Sequence, residues 1–135
     1  MSRSKSLIAL DVGTVRIGVA LADTAVRIAV PYGTINVDGT ELAQIARLAV
    51  DETVDTIVVG YPRNQSGEPT AQTAYVEQFA EELVDMANDI VFQDESLTSV
   101  IAEQRLKSRG ESYTKGDIDA EAAVIILQDY IEVHF

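Results

Sequence analysis

The sequence predicts an α/β layer fold on a mixed sheet, and three observations carry that expectation. Strand-like apolar runs crowd the first part of the chain, up to Val37, with only turn residues between them. Segments of helical periodicity then alternate with short apolar runs. Those later runs are continuous and rich in β-branched residues, as strands buried on both faces are.

In chain order, Ser6 to Leu10, Arg16 to Ala22 and Arg27 to Val37 read as strands, separated by Gly13-Thr14 and Asp23-Thr24, where turns are expected. Together they predict a three-stranded meander. Thr40 to Thr53 places Leu42, Ile45, Ala46 and Ala49 at helical spacing, with Asp38-Gly39-Thr40 as capping residues. Thr56 to Gly60, TIVVG, predicts a buried parallel strand. Tyr61 to Glu68 is a polar loop, and Pro69 opens an amphipathic helix with Val76, Phe79, Ala80, Leu83 and Ala87 on one face. Asp89 to Gln93 is another strand, Leu97 to Arg109 a helix stopped by Gly110, and Ile118 to Val133 the last helix. Glu111 to Gly116 is the expected mobile linker. The order βββαβαβαα fits either a ferredoxin-like sandwich or an RNase H-like fold, whose antiparallel meander is continued by βα units.

At 135 residues the chain is expected to form one domain over residues 1–135. A domain of such a length buries roughly 68% of its unfolded surface, enough for a core without staples. There are no cysteines, so neither a disulfide framework nor a thiolate metal site is available. No apolar run approaches the ~18 residues of a membrane span, and the N-terminal run is too short for a secretory core. A cytoplasmic protein is expected. The formal net charge is -12, from 22 acids against 10 bases, of which only Lys5, Lys107 and Lys115 are lysines. That balance excludes a dedicated nucleic-acid coating protein, because sequence-independent affinity comes from neutralised phosphates.

Asp11 closes the first strand ahead of Val12-Gly13-Thr14, and a carboxylate after LIAL is costly to bury unless it is paired or bound to a cation. It also suits a turn beside glycine. Asp94-Glu95 ends another strand and precedes a helix that it could simply cap. Asp117 and Asp119 open the last helix, where carboxylates favour the positive end of the helix dipole. Taken jointly, these acids sit beside apolar runs that must pack into one core. Converging carboxylates repel unless divalent cations lie among them, and hard oxygen donors suit Mg²⁺ or Mn²⁺. The lack of Cys and the single His134 argue against zinc. Such a set supports two-metal phosphodiester hydrolysis, with Arg16, Arg63 and Lys115 as candidate phosphate contacts. Asp11-Val12-Gly13-Thr14 with Gly18 also looks like the first phosphate motif of the actin and sugar-kinase superfamily, but 135 residues leave no second lobe to close over a nucleotide.

The motifs from about Leu7 to Glu132 resemble the YqgF (RuvX) family of RNase H-like proteins. ALDVGTVRIGVA (Ala9 to Ala20) is similar to its opening strand-turn-strand, and IVVGYPRNQSG (Ile57 to Gly67) to its Gly-x-Pro-x-Asn-x-x-Gly loop. Thr73 to Leu83 resembles its long helix, DESLTS (Asp94 to Ser99) its DE-x-LT motif, and KGDIDAEAAVIIL (Lys115 to Leu127) its closing helix. The resemblance implies an RNase H-like fold and a catalytic, metal-holding triad of Asp11, Glu95 and Asp119, with Asp117 a neighbour or cap. It places Thr14, Arg16, Arg63, Asn64, Thr98 and Lys115 at the substrate. Val15 and Ser96 stand where many members carry a basic residue.

The implied activity is an endonuclease using Mg²⁺ or Mn²⁺, two ions in all, in maturation of the 5′ end of precursor 16S ribosomal RNA. The acidic surface is easiest to reconcile with RNA presented on a ribosomal particle. Holliday junction cleavage is the enzymatic alternative and requires a homodimer rather than a monomer. A non-catalytic module binding nucleic acid or protein is the alternative of a different class.

Overall fold

The computed structural model describes residues 4–62, 70–95 and 98–135. Its elements are β1 (Ser6–Val12), β2 (Arg16–Asp23), β3 (Val30–Asn36), α1 (Glu41–Asp51), β4 (Val54–Pro62), α2 (Ala71–Glu81), β5 (Asp89–Glu95), α3 (Thr98–Ser108) and α4 (Lys115–His134). The strands form one sheet in the order β3-β2-β1-β4-β5. β1 pairs antiparallel with β2, and β2 with β3. β4 lies parallel to β1, and β5 parallel to β4, so the meander is continued by βα units as expected.

Alternation along β1 divides the core between the two faces of the sheet. Ile8, Leu10 and Val12 pack with Ile45 and Leu48 of α1 and with Val76 and Phe79 of α2. Leu7 and Ala9 face the other way and meet Ala123, Ile126, Leu127 and Ile131 of α4. Full burial of one such Leu or Ile contributes about 1.5–3 kcal/mol. Outside α4 lies α3, held by Ala102 against Ala122 and Ile125. The result is helices α1 and α2, then sheet, then α4 with α3.

Local chemistry accounts for three departures from the sequence expectation. The third strand starts at Val30 instead of Arg27, because Arg27 has φ 64° and its N–H donates to Asp23 O at 2.8 Å, closing a turn. The amphipathic segment after Pro69 leaves α-helical geometry at Glu81, yet Leu83 remains fully buried, carried by a tighter turn in which its N–H donates to Ala80 O at 3.0 Å. The last helix begins at Lys115, where Thr114 and Asp117 form a reciprocal capping box, so Lys115 and Gly116 are helical and not linker. Among the described residues no helix is long and apolar enough to cross a membrane.

Candidate active site

The α4 face of the sheet carries the chemistry. Asp11 continues the parity of Leu7 and Ala9, so its carboxylate is directed to the α4 side near the end of β1. It is half-buried there. Burial first, and then the negative charges of Glu95 and Asp119, push its carboxyl up from 3.8 to about 8. Glu95 and Asp119, both distant in sequence, thus act on Asp11 electrostatically.

Glu95 is the last residue of β5 and shares its parity with Val91, which packs against the α4 side. Burial raises its carboxyl above the usual range, and a hydrogen bond from Thr98 partly offsets that rise. Thr98 Oγ1 donates to Glu95 Oε2 at 2.9 Å. Beside it on β4, Gly60 leaves the space the carboxylate uses: a Cβ there would stand 3.0 Å from Glu95 Oε2 and 2.6 Å from Ile126 Cδ1.

Asp119 arrives on α4, and the depth at which α4 lies is set by Gly18. A Cβ on Gly18 would stand 1.9 Å from the Asp119 carbonyl oxygen and 3.0 Å from the Ala120 nitrogen, so helix backbone rests directly on strand backbone. Gly18 is the β2 partner of Asp11 in the antiparallel ladder, which brings Asp119 over the end of β1. Arg16, two residues earlier on the same face of β2, donates through Nε to Asp119 Oδ2 at 2.7 Å.

Comparison with known proteins bears on what this constellation belongs to. A family profile described as "RuvX: Holliday junction resolvase" matches residues 5–133. The chain belongs to the RuvX (YqgF) family. Among curated relatives of this RuvX chain, one from Chloroflexus aurantiacus named "Putative pre-16S rRNA nuclease" is 44% identical over 131 residues, covering 93% of this chain and 86% of the relative. One of the same name from Synechocystis is 38% identical over 138 residues, covering 98% and 91%. Among solved structures, T. thermophilus RuvC in complex with a Holliday junction substrate aligns with TM-score 0.57 at 13% identity, over 95% of this chain and 94% of that one. The Fowlpox virus resolvase with its junction DNA aligns with TM-score 0.53 at 15% identity, over 95% and 97%. At such identities the likeness concerns the fold, which is RNase H-like.

In this RuvX fold the remaining sequence candidates are dispersed. Thr14 is exposed in the turn between β1 and β2. Lys115 is exposed at the first position of α4. Thr98 is buried, with its hydroxyl committed to Glu95. Asp117 caps α4 by accepting from Thr114 N at 2.9 Å. Arg63 and Asn64 lie outside the described residues. Sequence reasoning missed the packing roles of Gly18 and Gly60. It also missed Glu121, a buried acid on α4 paired with Arg109 Nη1 at 2.5 Å and Arg105 Nη1 at 3.9 Å. The spacing of Arg105 and Arg109 by one helical turn is the signal that could have found that pair.

The donor set fits a hard divalent cation in its chemistry: three carboxylates, with neither Cys nor His among them. The raised Asp11 carboxyl is the mark of negative charge lacking compensation, which a cation would supply in place of a proton. Among the described residues no group of three or more Asp, Glu, His or Cys side chains stands arranged to hold a metal ion. Asp119 is drawn toward Arg16 instead, so a cation there competes with a guanidinium.

Proposed function

We propose that this chain is a cytoplasmic, divalent-metal-dependent endonuclease that hydrolyses phosphodiester bonds in structured RNA, acting in maturation of the 5′ end of precursor 16S ribosomal RNA. The observation that carries the reading is that Asp11 lies within electrostatic reach of both Glu95 and Asp119 on the α4 face of an RNase H-like sheet. The names of the curated relatives support the RNA substrate.

Asp11, Glu95 and Asp119 are the residues that would hold the metal. Divalent cations bound there would supply a water of lowered pKa for in-line attack and charge stabilisation at the leaving oxygen. With its carboxyl raised to about 8, Asp11 would release a proton when it takes its place as a ligand. Thr98 fixes the rotamer of Glu95. Arg16 holds Asp119 through Nε and offers the rest of its guanidinium fork to a phosphate.

A second reading, Holliday junction cleavage, is favoured by the family description and by the likeness to two resolvases. It requires a symmetric dimer that presents two sites to opposed strands. Both readings meet in one experiment. The protein is incubated with Mn²⁺ or Mg²⁺ and, separately, a precursor ribosomal RNA fragment and a four-way DNA junction, with Glu95→Gln alongside. Site-specific RNA cleavage lost in the variant is the expected result. Symmetric junction nicking would replace it with the resolvase reading. Cleavage of neither substrate, with metal bound, would favour a non-catalytic binding module.

A further inference from the structure

Among the described residues β5 is the last strand at the sheet edge opposite the meander, with β4 as its strand neighbour, and an edge strand readily accepts another extended chain. Beside it, on the α2 side, Phe92 is 45% exposed and Val84 62% exposed. Phe92 is held edge-on to Tyr61, with ring centroids 4.9 Å apart. With Ala80 and Ile90 these side chains floor a shallow cavity of about 280 Å³, walled by Glu77 and Glu81.

Charge selects what can lie there. Residues 64–104 contain nine acids and no Lys, Arg or His. Around the cavity Glu77 and Glu81 are exposed, as are Asp85 in the turn after α2 and Asp89 at the start of β5. A nucleic acid or an anionic membrane would be repelled across a Debye length of about 8 Å. A second copy would bring the same acids and the same repulsion. An extended peptide whose α2-facing positions carry both apolar and basic residues meets every feature: its backbone completes the ladder, apolar side chains cover Phe92 and Val84, and long cationic side chains on the same face reach Glu77 and Glu81.

We propose that the β5 edge, with the Phe92 and Val84 surface, docks an extended basic segment of a partner protein by strand addition. The proposal does not depend on the nuclease reading. It gives that reading a geometry, since β5 ends at Glu95 and a docked partner lies along the strand that carries a candidate metal ligand.

The test uses the full chain and three seven-residue peptides matched to the length of β5, each with Thr at every second position and, on the other face, Lys and Val in turn (Lys-Val), Glu and Val in turn, or Lys alone (all-Lys). Binding is read by titration and by backbone amide shifts. The Lys-Val peptide is expected to bind, to shift amides of β5 and of the end of α2, and to weaken with added salt. It should lose about tenfold or more in affinity with Phe92→Ser, and also with Glu81→Lys at an exposed helix end that leaves the fold intact. Any of four results overturns the proposal: no binding of the Lys-Val peptide, equal binding of the all-Lys peptide, shifts that fall away from β5, or a self-associated chain that Phe92→Ser converts to monomer.

Discussion

Arg16 Nε and Asp119 Oδ2 lie 2.7 Å apart, joining the start of the second strand to the second turn of the last helix. The pair is partly exposed, at 30% and 22%, so its contribution to stability is modest, about 1 kcal/mol. Arg16→Gln should lower the melting temperature by a few degrees and tighten Mn²⁺ binding, because Asp119 is released, while RNA cleavage falls. Calorimetric metal titration beside a cleavage assay checks this; unchanged metal affinity would show that the guanidinium does not compete.

The two glycines beneath the site should respond differently to alanine. At Gly18 the new Cβ meets helix backbone that cannot yield without moving α4, so Gly18→Ala should lose about 3 kcal/mol, on the order of 10 °C. At Gly60 the nearest atom is the flexible end of Ile126, so Gly60→Ala should cost only about 1 kcal/mol. Its Cβ presses on Glu95, however, and a displaced ligand should reduce cleavage roughly 100-fold. Thermal melts and turnover on the same two variants separate the effects.

Thr98 is a positioning residue for Glu95. Removing its hydroxyl in Thr98→Val takes away the hydrogen bond that lowers the Glu95 carboxyl, so the acid limb of the cleavage profile should move to higher pH. Thr98→Ser should restore it. A purely structural role would depress the rate without moving the limb.

Metal-free stability should depend on pH through Asp11. Its unfolded carboxyl ionises at 3.8 and its folded one at about 8, so between these values the native state binds more protons than the unfolded state. The stability this contributes is full below 3.8 and is lost progressively as pH rises to about 8. Glu95, raised by burial, has the same sign, and Asp38, lowered by its bonds to Thr40, the opposite. Asp11→Asn should flatten the alkaline fall, and Mn²⁺ should offset it in the parent chain. Parallel curves for parent and variant would remove Asp11 from the account.

Much of the architecture was legible because apolar periodicity responds directly to burial. TIVVG had to be a strand covered on both faces, and it lies between β1 and β5. The acids at the ends of β1 and β5 were legible for the same reason, since a carboxylate closing a buried run demands a cause. What the sequence hid depends on tertiary approach or local dihedrals. Arg27 has no residue-level mark of its left-handed φ. Leu83 kept helical spacing while its backbone tightened beyond Glu81. Gly18 reads as an ordinary strand glycine until α4 is laid across it. Glu121 resembles a solvated helix residue until Arg105 and Arg109 of the neighbouring helix close over it.

The contact of Gly18 with α4 also fixes when the candidate centre comes into being. Asp11 leaves the ribosome early, whereas Glu95 ends the last strand and Asp119 belongs to the last helix. Ordering them together closes long loops, a step that local folding of the meander does not accomplish. During vectorial synthesis the three acids therefore share no site until α4 has emerged and settled on Gly18.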